Sequence, residues 1–522
     1  MQPTRRSSMS LSRVCLWLLS LGVCLVFLLE WCGRAAVGRR ALSRVSLPCS
    51  RVSLSSLSAM DALWPRYQAK MEGQSLSQTA VKAFQYNFQK LISGQDLNIP
   101  EKDILPVHDI QTYDQLETEK SEYLKETLML KLNGGLGTGM GLEKAKSLVN
   151  IKDGLNFLDF IAHQVKHMRA HFGEPLAFML MNSFATSADT LEFLKKHPEI
   201  KTLGLPLEFQ QNMAPKVTAD GFAPAEWDEA PQCEWCPPGH GDLYPAIVGS
   251  GTLDLLLDKG YKYMFVSNSD NLGATMDVKL LTWFVESGAP FAMEVAARTD
   301  ADKKGGHLAR AKCGGGLLLR ESAQCPEEDE SDFQDVSKHR FFNTNNLWVN
   351  LAALKAAYTE YNGVLPLPVM KNAKTVDPRS KSSTKVLQLE TAMGAAIQCF
   401  KGSQAILIPR TRFAPVKTTN DLLALMSDAY EITDDHRMVL RPERCGIPPN
   451  VKLDGRYKFV DQLSKLIPNG PPSLIACDKL VIEGNVEFAA GITLQGCVKI
   501  VNTSEEKKTL PVGTYSNETV EM

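Results

Sequence analysis

"LMLKLNGGLGTGMGLEKAKSLV", residues Leu128–Val149, decides how this chain is read. An apolar run, Leu128 to Leu132, enters five glycines between Gly134 and Gly141, and Lys144 and Lys146 follow. A strand that ends in glycine-rich backbone ahead of a helix makes an anion cradle. Without Cβ atoms the backbone approaches closely, and several N–H groups can point at one phosphate. Two familiar cradles do not match. The P-loop requires a glycine directly before Lys146-Ser147, where Ala145 stands. The dinucleotide fingerprint G-x-G-x-x-G meets Met140, Leu142 or Lys144 at its third glycine, depending on the register.

On either side of the loop the apolar pattern alternates between strand and helix. "TLMLKLN" is strand-like, "NFLDFIAHQVKHMRAHF" is an amphipathic helix, and "LAFMLMNS" is strand-like again. "SADTLEFLKKH" reads as a helix capped by Ser187, and "KYMFVSNSDN" as a strand ending in polar residues. This rhythm predicts an α/β fold with a mainly parallel sheet and helices on its faces. Residues 61–125 carry apolar and charged positions at helical spacing and read as an N-terminal helical segment. After about Asn450 the helical period disappears. Apolar pairs Leu480/Ile482, Val486/Phe488, Ile492/Leu494 and Val498/Ile500 recur every six residues, the rung of a parallel β-helix. An antiparallel meander is the alternative.

The chain has 522 residues, 44% of them hydrophobic, enough for one large core or two to three domains. A net charge of −2 gives no support to a nucleic-acid partner. Of 12 cysteines only Cys233 and Cys236 form a C-x-x-C, and no second pair at zinc spacing accompanies them. Residues 1–60 stand apart, with eight arginines against one acid, Glu30. Val14–Leu29 is a 16-residue apolar run, short for a spanning helix and right for a signal-peptide core. A Ser- and Arg-rich, acid-free, transit-like stretch follows it. Three readings stand side by side: signal plus transit peptide for import into a plastid through the secretory route, an N-terminal membrane anchor, or an upstream extension with the working start at Met60 and a cytoplasmic enzyme.

A third kind of cradle does fit. "LNGGLGTGMGLEKAKSL" resembles the nucleotide-binding loop of the UDP-glucose pyrophosphorylase family, a branch of the sugar nucleotidyltransferases whose loop reads G-x-G-T-x-M before a Pro-Lys. Gly135, Gly137, Thr138, Met140 and Lys146 occupy the matching positions, with Ala145 in place of the proline. Seven further blocks look like that family in the same order: "FMLMNSF", "QNMAPK", "PPGHGD", "FVSNSDNLGA", "FFNTNNLW", "LETAMGAA" and "RFAPVKTTNDLL". They run from about residue 125 to 425, with weaker likeness to the end.

The resemblance implies a Rossmann-like nucleotidyltransferase domain over residues 126–435, and the six-residue period places a C-terminal β-helix domain over 436–522. It implies UTP and glucose 1-phosphate as substrates, and UDP-glucose and pyrophosphate as products. An oxygen of the sugar phosphate would attack the α-phosphorus in line. The nucleophile is already an anion, so the protein supplies positioning and positive charge rather than a base. By resemblance Lys146 and Lys417 neutralise phosphates, and Asp270, at the end of a parallel strand, holds Mg²⁺. Gly134, Gly135, Gly137, Thr138, Gln211 and Gly239 would receive the nucleotide, Gln211 offering uracil both a donor and an acceptor. Met181 either packs in the core or gives the base a soft apolar surface. His240, Asn268, Glu321, Asn343 and Asn345 match positions near the glucosyl phosphate. Cys236, next to that segment, suggests sensitivity to oxidation. A broad-specificity UDP-sugar pyrophosphorylase, an enzyme acting on an N-acetylhexosamine 1-phosphate and a non-catalytic UDP-sugar-binding protein are the competing readings. A glycosyltransferase is disfavoured because "SDN", Ser269–Asn271, lacks the second carboxylate of a D-x-D. An open end of the C-terminal rungs would allow self-association.

Overall fold

The run Thr127–Asn133 forms a strand inside an eleven-stranded sheet, and all seven of its residues are buried. Leu128, Leu130 and Leu132 enter one apolar layer and Met129 the other, as a strand covered on both faces requires. In this computed structural model, which describes residues 54–522, the main path of the sheet runs Gln111–Thr112, Gln404–Leu407, Phe291–Ala297, Phe341–Asn350, Tyr263–Asn268, Thr127–Asn133, Ala177–Asn182 and Glu208–Gln210. Neighbours are parallel, except that Phe341–Asn350 runs antiparallel to the strands on both its sides. Ile104–Pro106, His307–Ala311 and Leu317–Arg320 extend the sheet by antiparallel pairing. The fold is thus mixed α/β around a large, mainly parallel sheet.

Helices cover both faces. Phe157–Phe172 begins at Asn156, whose Oδ1 accepts from Asp159 N while Asp159 Oδ2 accepts from Asn156 N, both at 3.0 Å. It lays Phe157, Phe160, Ile161 and Val165 on one layer, beside Leu280, Leu281 and Phe284 of Val278–Ser287. Leu243–Gly249, Thr252–Asp258 and Leu351–Glu360 cover the other. The predicted Ser187 cap is corrected. Ser187 is the first residue of the helix Ser187–Phe193, and its hydroxyl donates to Glu208 Oε1 at 2.6 Å instead.

The glycine loop does not lead straight into a helix either. Gly137 and Gly141 both take left-handed φ, +64° and +74°, which breaks a right-handed helix before it can propagate. Two short 3₁₀ turns, Thr138–Met140 and Lys146–Leu148, and the pair of strands Asn150–Lys152 and Leu155–Asn156 come first.

At the N-terminal side, helices Leu54–Gly73 and Gln78–Ile92 stack Tyr67, Phe84 and Phe88 against Ala214, Val217, Cys236 and Leu389. Helical spacing within residues 61–125 ends at Ile92 as α-helix. Beyond it the chain supplies the strands Ile104–Pro106 and Gln111–Thr112 to the large sheet. The apolar run Val14–Leu29 and most of the segment 1–60 lie outside the described residues, among which no helix is long and apolar enough to cross a membrane.

Toward the C-terminus, Asn450–Lys452, Ser473–Glu483, Thr493–Val501, Thr514–Ser516 and Thr519–Glu521 pair in parallel, as do Val486–Phe488 and Lys508–Leu510. Leu480 faces Val498 and Ile482 faces Ile500, three six-residue steps along the chain. Leu480, Ile482, Val486, Phe488, Ile492, Leu494, Val498 and Ile500 are all buried, and their apolar cluster is continuous with the one under the large sheet.

Candidate active site

Parallel strands bring their C-terminal ends to one edge, where ligands of such sheets bind. Here Asn133 leads into Gly134, Asn182 into Ser183, Gln210 into Gln211, and Asn268 into Ser269-Asp270. Phe341–Asn350 runs the other way, so its beginning, with Asn343 and Asn345, meets the same edge.

One group of predicted residues is tied together at the glycine loop. Ser183 Oγ donates to Gly134 O at 2.9 Å. Gln211 Nε2 donates to Gly239 O at 3.1 Å, and a Cβ on Gly134 would stand 2.6 Å from Gln211 Oε1. Gly135 O accepts from Lys146 N at 3.1 Å, which folds the loop back over the lysine. Gly135 and Thr138 are exposed on the loop surface. Met181 is buried in the apolar layer that also holds Leu132 and Phe209, so its side chain serves the core in this structure.

A second group centres on charge. Lys146 Nζ donates to Asp270 Oδ2 at 2.6 Å and also to Val416 O. Asp270 Oδ1 is buried without a hydrogen-bond partner. Lys417, next to Val416, is exposed, and its backbone N–H is held by Asp421 Oδ2 at 2.8 Å. Lys146, Asp270 and the segment carrying Lys417 are therefore brought together from three distant parts of the chain.

A third group is polar and holds no lysine or arginine: His240, Asn268, Asn343 and Asn345, with the carboxyl of Glu321. Met393 N donates to His240 Nδ1 at 2.9 Å, so in the neutral ring the proton sits on Nε2. Burial lowers the His240 pKa to about 4, which keeps that ring neutral at ordinary pH. Asn343 Nδ2 donates to Asn345 Oδ1 at 3.0 Å, and Asn345, at φ +59°, returns its N–H to Asn343 Oδ1 at 2.9 Å. Glu321 lies against Gly306, where a Cβ would be 2.5 Å from Oε2. Burial raises the Glu321 pKa, opposed by the Asn343 side chain and the charge of Lys417. Asn268 is half-buried at the end of its strand.

The oxidation-prone thiol is corrected. Cys236 is buried, its Sγ lies 3.5 Å from Ala214 O, and burial pushes its pKa up to about 12, far from the thiolate that oxidants attack.

Sequence reasoning missed the polar layer beneath these groups. Lys131 is fully buried, with Nζ bonded to Ser267 Oγ at 2.8 Å and Ala274 O at 2.5 Å, and burial, with the charge of Arg412, lowers its pKa to about 7. Glu294, Asn271 and Arg412 complete that layer. The available signal was a lone charge inside an apolar strand: Lys131 in "TLMLKLN" and Glu294 in "FAMEVAA".

Residues 81–495 match the family model described as UTP–glucose-1-phosphate uridylyltransferase. The chain belongs to the UTP–glucose-1-phosphate uridylyltransferase family. Within that family it is 38% identical over 420 residues to the Solanum tuberosum UTP–glucose-1-phosphate uridylyltransferase, covering 78% of this chain and 84% of the relative. The Saccharomyces cerevisiae UTP–glucose-1-phosphate uridylyltransferase is 39% identical over 400 residues, covering 76% and 78%. A crystal structure of a mutant Leishmania major UDP-glucose pyrophosphorylase in complex with UDP-glucose superposes with a TM-score of 0.84 at 46% identity. It covers 88% of this chain and 99% of that one.

Proposed function

We infer that this chain transfers the uridylyl group of UTP to glucose 1-phosphate, releasing pyrophosphate and forming UDP-glucose. The observation that carries the reading is the Lys146–Asp270 pair at the C-terminal edge of the sheet. It is flanked by the glycine loop on one side and the Lys417 segment on the other, inside the region shared with the family.

The roles follow from what each group can do. The oxygen–phosphorus bond to glucose 1-phosphate forms as the α–β phosphoanhydride bond breaks, and the electron pair leaves with pyrophosphate. No proton has to be removed from the attacking phosphate oxygen. Reacting atoms must be held about 3–3.5 Å apart and in line. Gly134, Gly135, Gly137 and Thr138 offer backbone to the triphosphate, with Gln211 and Gly239 beside the base. Lys146 and Lys417 offset charge on the phosphates as the transition state forms. His240 Nε2–H, Asn268, Asn343 and Asn345 give the neutral hydrogen bonding that sugar hydroxyls need, and the Glu321 carboxyl adds acceptor oxygens.

The residues present also fit a divalent cation. Asp270 Oδ1 is buried and unpartnered, a hard oxygen that suits Mg²⁺. Among the described residues no group of three or more His, Cys, Asp or Glu could hold a metal ion alone, so Asp270 would share the ion with phosphate oxygens and water. When bound there, Mg²⁺ supplies positive charge to the phosphates. We further read 61–125 as an N-terminal segment, helical as far as Ile92 and then lending two short strands to the large sheet, 126–435 as the catalytic domain, and the parallel ladder of 436–522 as a β-helix whose open end is available for self-association.

The test is pyrophosphate release from UTP and glucose 1-phosphate by the purified chain, with and without Mg²⁺. Galactose 1-phosphate and N-acetylglucosamine 1-phosphate serve as competing acceptors, and a Lys146→Ala variant is run alongside. Formation of UDP-glucose that needs both Mg²⁺ and Lys146 is expected. No nucleotide-sugar product from any of the three acceptors would overturn the reading.

A further inference from the structure

Arg412 belongs to neither the lysine pair nor the sugar-facing set, and its side chain turns inward. It is 4% exposed. Nε and Nη2 donate to Glu294 Oε2 and Oε1, each at 3.0 Å. Nη2 also reaches Thr275 O at 3.0 Å, and Nη1 lies 3.5 Å from Asp277 Oδ2. Glu294 is wholly buried and accepts two more bonds, from Asn346 Nδ2 and Trp348 Nε1, both at 3.0 Å. A buried ion pair of this kind is a poor source of stability, because well-packed apolar residues of similar volume usually do as well. What it fixes is geometry.

The geometry is that of two backbone segments laid against each other. Arg412 O accepts from Asn271 Nδ2 at 3.3 Å, Asn271 Oδ1 accepts from Ala414 N at 2.9 Å, and Val416 N donates to Asp270 O at 3.2 Å. Asn271 and Pro415 pair as an isolated antiparallel bridge. At Gly273 a Cβ would stand 2.5 Å from Thr411 O and 2.9 Å from the Arg412 carbonyl carbon, so no side chain fits between the segments. Lys131 holds the other side of the Asp270 loop through Ser267 Oγ and Ala274 O. Lys146 then closes on Asp270 Oδ2 and Val416 O, one residue before Lys417.

We propose that Arg412, locked on Glu294, is a positioning residue that sets Lys417 and Lys146 against Asp270 through the backbone from Arg412 to Lys417. The inference rests on the functional reading above. A planar fork with two arms on one carboxylate and a third bond to Thr275 O fixes the direction of the segment it begins. A lysine keeps the charge but cannot reproduce the fork.

Arg412→Lys is expected to lower kcat about 10- to 100-fold, the scale of an ångström-sized misplacement, with KM for UTP and glucose 1-phosphate within threefold of wild type. In a Lys417→Ala background the same change is expected to cost less than a further threefold, because the side chain it places is gone. Trp348→Phe removes a different hydrogen bond from the same Glu294 oxygen that Arg412 Nη2 reaches. It is expected to lower the melting temperature while leaving kcat within threefold. If Arg412→Lys does not fold, Asn271→Ser cuts the link between the segments and must show the same non-additivity with Lys417→Ala. Full multiplication of the two effects, or equal loss of kcat in Arg412→Lys and Trp348→Phe, overturns the positioning role alone. A fully active Lys417→Ala overturns this inference alone, and a wild-type chain without pyrophosphate release overturns the functional reading and this inference with it.

Discussion

Two alanine substitutions separate what the glycines do for the fold from what they do for a ligand. A Cβ placed on Gly135 meets nothing within 4 Å, and its φ is outside the left-handed region. Gly135→Ala should therefore fold as well as wild type, with a gain of about 0.4–1 kcal/mol from the less flexible unfolded chain. Gly239 is the opposite case. Its φ is +80°, and a Cβ would lie 2.5 Å from Thr391 O and 2.8 Å from Thr391 N, both fixed backbone atoms. With ψ at 169° this backbone is one that only glycine ordinarily adopts, costing an alanine about 1–3 kcal/mol, and overpacking costs about 1–3 kcal/mol. Gly239→Ala should lose about 2–6 kcal/mol from the two together. Activity should divide differently. The open side of Gly135 is the space assigned to the triphosphate, and a methyl group there should raise KM for UTP about tenfold or more, equivalent to about 1.4 kcal/mol of binding. Thermal melting without substrate reads the first effect, and initial rates of pyrophosphate release over a UTP titration read the second. A Gly135→Ala enzyme with KM for UTP within twofold of wild type would refute the loop as a nucleotide cradle. A Gly239→Ala chain that melts with wild type would refute the packing argument.

Lys146→Ala should lower kcat by about 10²–10³-fold, the usual consequence of removing one charge-stabilising donor, and chelation of divalent ions should abolish turnover reversibly on a Mg²⁺ add-back assay. His240 gives a pH test. Its folded pKa of about 4 lies below the unfolded 6.5, so as pH falls through that window the unfolded chain takes up a proton that the folded one refuses. Between pH 7 and pH 5 wild type should lose up to about 2 kcal/mol more stability than His240→Asn, measured by denaturant melts. A wider gap at pH 7 than at pH 5 in favour of the variant would contradict that sign. Alkylation of the native chain should label the exposed Cys313, Cys445 and Cys497 and spare Cys236 by mass spectrometry, with activity retained.

The sheet was legible because its strands are apolar on both faces and the helices between them carry a 3.6-residue stripe. The same local signals mark Asn133 and Asn268 as strand ends, which puts Gly134 and Asp270 at an edge, while their roles, and Gln211 altogether, came from the family resemblance of their motifs. Ser187 was misread because a cap depends on where a hydroxyl finds its partner, and Glu208 lies on another strand. The turns after Gly137 were missed because two left-handed glycines override a helical pattern that looks continuous on paper. The buried layer was illegible for a different reason. Arg412 and Glu294 stand 118 positions apart and meet only when the sheet is assembled, so Glu294 is marked as a lone charge in its own strand while nothing local names its partner.

The contact between Lys146 and Asp270 has an outcome for how the enzyme is loaded. The ammonium and the carboxylate cancel each other at 2.6 Å. A lone phosphate compound must pull the lysine off its carboxylate, and a lone cation at the free Asp270 Oδ1 must sit beside an ammonium that repels it, so either visitor alone works against an intact ion pair. A metal-bearing nucleotide brings both counter-charges at once and exchanges one pairing for two. Such a pair is expected to resist single ions and yield to the complex, and order of addition in rapid-mixing experiments should reveal it as a lag when nucleotide and metal arrive separately.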